Sequence, residues 1–105
     1  RLKIILSFIH EHYSEKISLS QIADEVHLCS GECCRYFKKN MNCTIFEYIN
    51  NYRLTESTAA LLSSSEIPIS RIAYEYGFGS TSYYIEKFKK KTGMTPHAYR
   101  KLYKD

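Results

Sequence analysis

The sequence predicts an all-α fold of seven helices, and three observations predict it. Apolar residues recur at helical spacing from the first turn onwards, no segment alternates apolar and polar residues as a half-buried strand would, and one pattern occurs twice. Ile17-Ser18-Leu19-Ser20-Gln21-Ile22-Ala23-Asp24-Glu25-Val26 returns as Ile67-Pro68-Ile69-Ser70-Arg71-Ile72-Ala73-Tyr74-Glu75-Tyr76. Each copy runs into a more basic segment, Tyr36-Phe37-Lys38-Lys39 and Lys87-Phe88-Lys89-Lys90. The spacing is about 50 residues, and the echo continues with Thr44 and Tyr48 against Thr95 and Tyr99. The repeated unit is therefore a whole structural module.

Leu2, Ile5, Leu6 and Ile9 share one helical face and predict a first helix over about residues 2 to 13. Ser18 is a suitable N-cap for a second helix from Leu19 to about Val26, and small Ala23 permits the close approach of helix axes that a tight helix-turn-helix needs. A third helix is expected from about Ser30 to Met41. Thr44 with Glu47 three residues on has the spacing of a capping box, and no breaker interrupts the chain from there to Ser63-Ser64-Ser65. One long central helix over about 45 to 62 follows. In the second copy Pro68 stands near the helix start, where its missing N–H is harmless, and Ile69 to Tyr76 forms the fifth helix. Gly77-Phe78-Gly79 turns the chain, Ser80 caps a sixth helix running to about Thr92, and Gly93, Thr95 and Pro96 end it and start a seventh, about Pro96 to Tyr103. The expected organisation is a first helix-turn-helix subdomain over 1–43, a linker helix over 44–63 and a second subdomain over 64–105.

The chain of 105 residues is 44% hydrophobic, which fits one compact domain or two very small ones and excludes a disordered tail. No apolar run is long enough to span a bilayer, so no membrane partner is expected and a cytoplasmic location is the default. Beginning at Arg1 on an amphipathic pattern, the chain reads as a piece of a longer protein with a sensing or dimerisation domain upstream. Cys29, Cys33, Cys34 and Cys43 lack a paired C-x-x-C arrangement, and His10, His12, His27 and His97 are dispersed, so neither a metal nor a cofactor is expected. Cys33 reads as a small core residue and Cys34 as an exposed thiol. No carboxylate pair, nucleophile-base set or phosphate-cradling glycine loop suggests an enzyme.

The formal charge of +4 is modest, but the lysines cluster while the acids scatter. Clustered cations favour phosphate binding, because counterion release depends on how many reach the backbone together. In the third helix Cys33 and Phe37 point one way, whereas Gly31, Cys34, Arg35 and Lys38 share the opposite face. The second copy divides alike: Tyr84 and Phe88 face inward, and Thr81, Ser82, Ile85, Glu86 and Lys89 face outward. A polar, lysine-ended stripe on the second helix of a helix-turn-helix suits the major groove of double-stranded DNA, with base readers near its start and phosphate clamps near its end. A single such stripe is as readily an ordinary solvent face; its recurrence after the same lead helix is what carries weight. Arg35 is the first choice as base reader, since a guanidinium can bond guanine O6 and N7 together, with a salt bridge to Glu32 or a phosphate contact as the competing reading. Glu86 holds the matching place in the second copy, where it can accept from cytosine N4 or adenine N6, or pair with Lys89 or Lys90.

With these residues in place, the chain is similar to the DNA-binding domain of AraC/XylS-type transcription regulators. The likeness rests on Ile72-Ala73, Gly77-Phe78, Ser82-Tyr83-Tyr84, Phe88-Lys89-Lys90, Gly93, Thr95-Pro96 and Tyr99-Arg100, with Leu19, Ile22-Ala23, Arg35, Phe37-Lys38, Tyr48 and Arg53-Leu54 in the first copy. The resemblance implies a homeodomain-like tandem that puts two recognition helices into successive major grooves, and regulation of transcription by contact with RNA polymerase, as activator or repressor. Carried over by position, base contacts fall to Gly31, Cys34, Arg35, Thr81, Ser82, Tyr83 and Glu86; from their charge, phosphate contacts are expected at Lys38, Lys39, Lys89, Lys90 and Arg100. The chain departs from the family pattern at Cys33, Asn42, Ser57 and Glu86. Two other readings are a thiol- or metal-responsive sensor built on the Cys29–Cys43 cluster, and a protein-docking module using Tyr74, Tyr76 and Tyr83.

Overall fold

The computed structural model describes residues 1–104. Among these the chain forms helices α1 (Leu2–His12), α2 (Leu19–Glu25), α3 (Ser30–Met41), α4 (Ile45–Ser63), α5 (Ile69–Glu75), α6 (Thr81–Thr92) and α7 (Pro96–Tyr103), and no strand. Two compact units result, Arg1–Tyr52 and the remainder from Arg53. The division falls inside α4, so the two halves of that helix belong to different units.

Local capping sets the helix starts. The Ser18 side chain accepts from the Gln21 amide at 3.3 Å while Gln21 Oε1 accepts from the Ser18 amide at 2.7 Å, a reciprocal box at the start of α2. Thr44 and Glu47 make the same exchange at the head of α4, with distances of 3.1 and 2.8 Å. Ser80 caps α6 through the Tyr83 amide, and Thr95 caps α7 through Ala98. Helices α2 and α5 each end one residue sooner than expected, because Val26 and Tyr76 have already left helical geometry.

The two turns between paired helices close alike. Leu28 donates to the Ala23 carbonyl at 3.1 Å, and Phe78 to the Ala73 carbonyl at 3.0 Å. Both turns need a left-handed residue at the same place: Gly77 meets this at φ 87°, whereas His27 adopts φ 58° with a full side chain. Nothing in the sequence pattern marked His27 for that conformation.

In the first unit Ile5 and Ile9 of α1, Ile22 and Ala23 of α2, Cys33 and Phe37 of α3, and Ile45 and Ile49 of α4 form one buried cluster. In the second, Leu54 and Leu61 of α4 pack with Ile72, Ala73, Phe78, Tyr84 and Phe88. Burying one such aliphatic or aromatic side chain contributes roughly 1.5–3 kcal/mol. The repeat is reproduced in the packing of its rings: Tyr48 meets Phe37 edge-on at 5.7 Å between centroids, and Tyr99 meets Phe88 edge-on at 5.2 Å. The N-terminal half of α4 thus does for α3 what α7 does for α6. Core packing fixes which faces of α3 and α6 turn outward.

Candidate nucleic-acid interface

In α3, Cys33 and Phe37 are fully buried, and this leaves Gly31, Cys34, Arg35, Lys38 and Lys39 exposed. In α6, Tyr84 and Phe88 are buried, leaving Ser82, Tyr83, Glu86, Lys89 and Lys90 exposed and Thr81 half-buried. Each outward stripe therefore lies along one helix, with its lysines in the last turn. Those lysines also complement the partial negative charge at a helix C-terminus.

A shallow depression of about 430 Å³ flanks the stripe of α3, lined by Cys34, Arg35, Lys38, Lys39, Thr44 and Ile45. Thr44 and Ile45 were not anticipated there; the cap at Thr44 brings the start of α4 alongside the cationic end of α3. On α6 the Lys87 ammonium stands 5.3 Å from the centre of the Tyr83 ring, a cation–π contact that steadies the exposed phenol. Hydrogen bonds from the thiol and amide of Cys29 hold the Glu32 carboxyl below the usual carboxylate range, with Arg35 and Arg1 lowering it further. Glu32 is thus occupied in capping α3, and among the described residues Arg35 forms no ion pair.

Arg100 requires a correction. Expected as a phosphate contact, it is only 8% exposed, and its guanidinium points into the protein. Its Nε donates to the Leu61 carbonyl at 2.9 Å and its Nη1 to the Ser65 carbonyl at 3.4 Å. These carbonyls lie at and just beyond the last turn of α4, where the helix itself offers no donor. Arg100 ties down the end of that helix and is not available to a phosphate.

The four cysteines are free: Cys29 and Cys34 exposed, Cys33 buried, Cys43 in between. Burial pushes the Cys33 thiol pKa up, as suits an inert core group. Among the described residues no group of three or more His, Cys, Asp or Glu side chains is placed to hold a metal ion. No helix among them is long and apolar enough to cross a membrane. Tyr74 is 79% exposed on α5, while Tyr76 is half-buried.

Residues 22–102 match the family model described as a helix-turn-helix domain. An HTH-type transcriptional regulator of Bacillus subtilis, YdeC, is 44% identical over 97% of this chain, which spans 35% of that protein's length. The C-terminal domain of the two-component response regulator yesN from Fusobacterium nucleatum is 32% identical and superposes with a TM-score of 0.87, covering 93% of this chain and 95% of that one. The DNA-binding domain of AdpA, solved in complex with a target DNA, shares the fold at a TM-score of 0.87 with 20% identity, over 94% of this chain and 88% of that one. This molecule carries two helix-turn-helix modules, each presenting its second helix, and the chain belongs to the helix-turn-helix family of AraC-type transcription regulators.

Proposed function

We propose that this chain is a sequence-specific grip on double-stranded DNA, with α3 and α6 entering successive major grooves. The observation that carries the reading is the recurrence, in both modules, of an exposed polar stripe ending in lysines on the second helix of a helix-turn-helix. Base edges are read by Arg35 and Cys34 with the backbone at Gly31, and by Thr81, Ser82, Tyr83 and Glu86. Lys38, Lys39, Lys89 and Lys90 hold phosphates. The complex of the AdpA domain with its target DNA supports the assignment by likeness of fold. The first module supplies more of the base-specific energy, because Arg35 can make a paired contact with guanine, whereas the Glu86 carboxylate repels the backbone it approaches.

The curated relative YdeC is longer than the chain, which favours the reading that a sensing or dimerising part accompanies it in the whole protein. Such a regulator acts in the cytoplasm by binding and not by catalysis, and regulates transcription through contact with RNA polymerase. Selection of bound sequences from random duplexes at two salt concentrations tests the grip directly. Arg35→Ala is expected to cost about 1–3 kcal/mol on the selected site and to relax one base pair; Lys89→Ala weakens all sequences and reduces the salt slope by about one. Equal effects of both substitutions on selected and random DNA would overturn the division of roles.

A further inference from the structure

Of the four glycines, Gly77, Gly79 and Gly93 sit at φ of 87°, 79° and 82°, where a side chain is strained. Gly31 does not: it lies in the first turn of α3 with no left-handed backbone to accommodate. Alanine would form that helix better, so the backbone gives no reason for glycine there. The side chain of Arg35 does. A Cβ at position 31 would stand 3.4 Å from Arg35 Nη1, which places the guanidinium against the α-carbon one turn back along the helix. Residues four apart share a face, and helical side chains lean towards the N-terminus, so Arg35 reaches this spot without leaving its ordinary direction. A methyl group at 31 meets the guanidinium at ordinary contact distance; anything longer takes its place.

The electrostatics keep that guanidinium ready to leave for a partner. The start of a helix carries partial positive charge and does not favour a cation. Glu32 is near enough to feel Arg35, yet its carboxylate is already engaged by Cys29. The guanidinium is therefore held by available space more than by a bond.

We infer that Gly31 is a positioning residue whose missing side chain is the berth for Arg35, so that one guanidinium serves both outward positions and reads a single G·C pair at the leading end of α3. This rests on the proposal that α3 reads bases. The test is selection from random duplexes with the 105-residue chain and with Gly31→Ala, Gly31→Gln, Gly31→Leu, Arg35→Ala and the double variant Gly31→Leu with Arg35→Ala. Position 31 is exposed, and Gly31→Ala serves as the folded control in thermal melts. Arg35→Ala should lose the guanine preference at one base pair. The two bulky variants, despite their different chemistry, should each lose that preference about fivefold or more at the same base pair, and adding Arg35→Ala should cost nothing further there. If both bulky variants keep the wild-type preference at that pair, Gly31 is no berth, although Arg35 remains the reader. If Arg35→Ala changes no position, the reading of α3 fails and this inference fails with it.

Discussion

Cys33 and Tyr84 stand at the same place in the two modules, four residues before the buried phenylalanine, and Ile49 and Arg100 likewise each follow the ring that packs on it. In the first unit both positions are apolar and fully buried. In the second both carry polar groups into the interior, and the buried polar residues Arg53, Ser57 and Arg100 all lie there. One fold thus tolerates two core chemistries. The difference begins at the helix that each module must close off: α1 ends with its His12 carbonyl accepting from the Glu15 amide, whereas the Leu61 carbonyl in α4 is met by a side chain, that of Arg100. Tyr84 lies near enough to Arg100 to feel its charge. Its hydroxyl has no hydrogen-bond partner of good geometry; burial raises its pKa, and Ser57 and Arg100 nearby oppose the rise.

The largest effect that could break this comparison is at Arg100. Arg100→Met is expected to destabilise the second unit by about 1.5–3 kcal/mol, since charge-assisted bonds to two carbonyls are lost. Urea unfolding would measure it, and DNA binding of the folded fraction should keep the wild-type salt slope. A reduced slope with unchanged stability would restore Arg100 to the phosphates. A smaller effect sharpens the contrast: Tyr84→Phe removes an under-bonded buried hydroxyl and should leave stability unchanged or raise it by up to about 1 kcal/mol. A clear loss in the same unfolding experiment would show that the hydroxyl is well bonded after all.

The smallest effect belongs to the cap of α3. The folded-state pKa of Glu32 is depressed, so its contribution is present above the ordinary carboxylate pKa and is lost as pH falls through the lowered value. Glu32→Gln should therefore lower the melting temperature at neutral pH and make less difference at strongly acid pH. A pH-independent difference would mean that the charge of Glu32 is not what caps the helix.

Much of this was legible in the chain because the signals are local. Ser18, Thr44, Ser80 and Thr95 announce their helices through caps at fixed spacing, and Cys33, Phe37, Tyr84 and Phe88 fall inward by period alone. His27 escaped notice because a left-handed residue is usually glycine or asparagine; Asn42, at φ 59° where the second copy has Gly93, fits that habit. Arg100 was misjudged on its residue type. The repeat carried the correction, since Arg100 occupies the place of buried Ile49. Ile45, not exposed Phe46, enters the core at the start of α4, a choice that depends on how the helix is rotated against α3.

What the sequence determined by itself was the number and order of helices, their pairing into two matching modules and the faces that α3 and α6 turn outward, because periodicity and caps act within a few residues of themselves. Tertiary structure alone decided that Arg100 braces the end of α4 and that the buried Tyr84 hydroxyl is left without a well-placed partner. Each of these depends on which donors, acceptors and spaces remain once helices far apart in the chain have met.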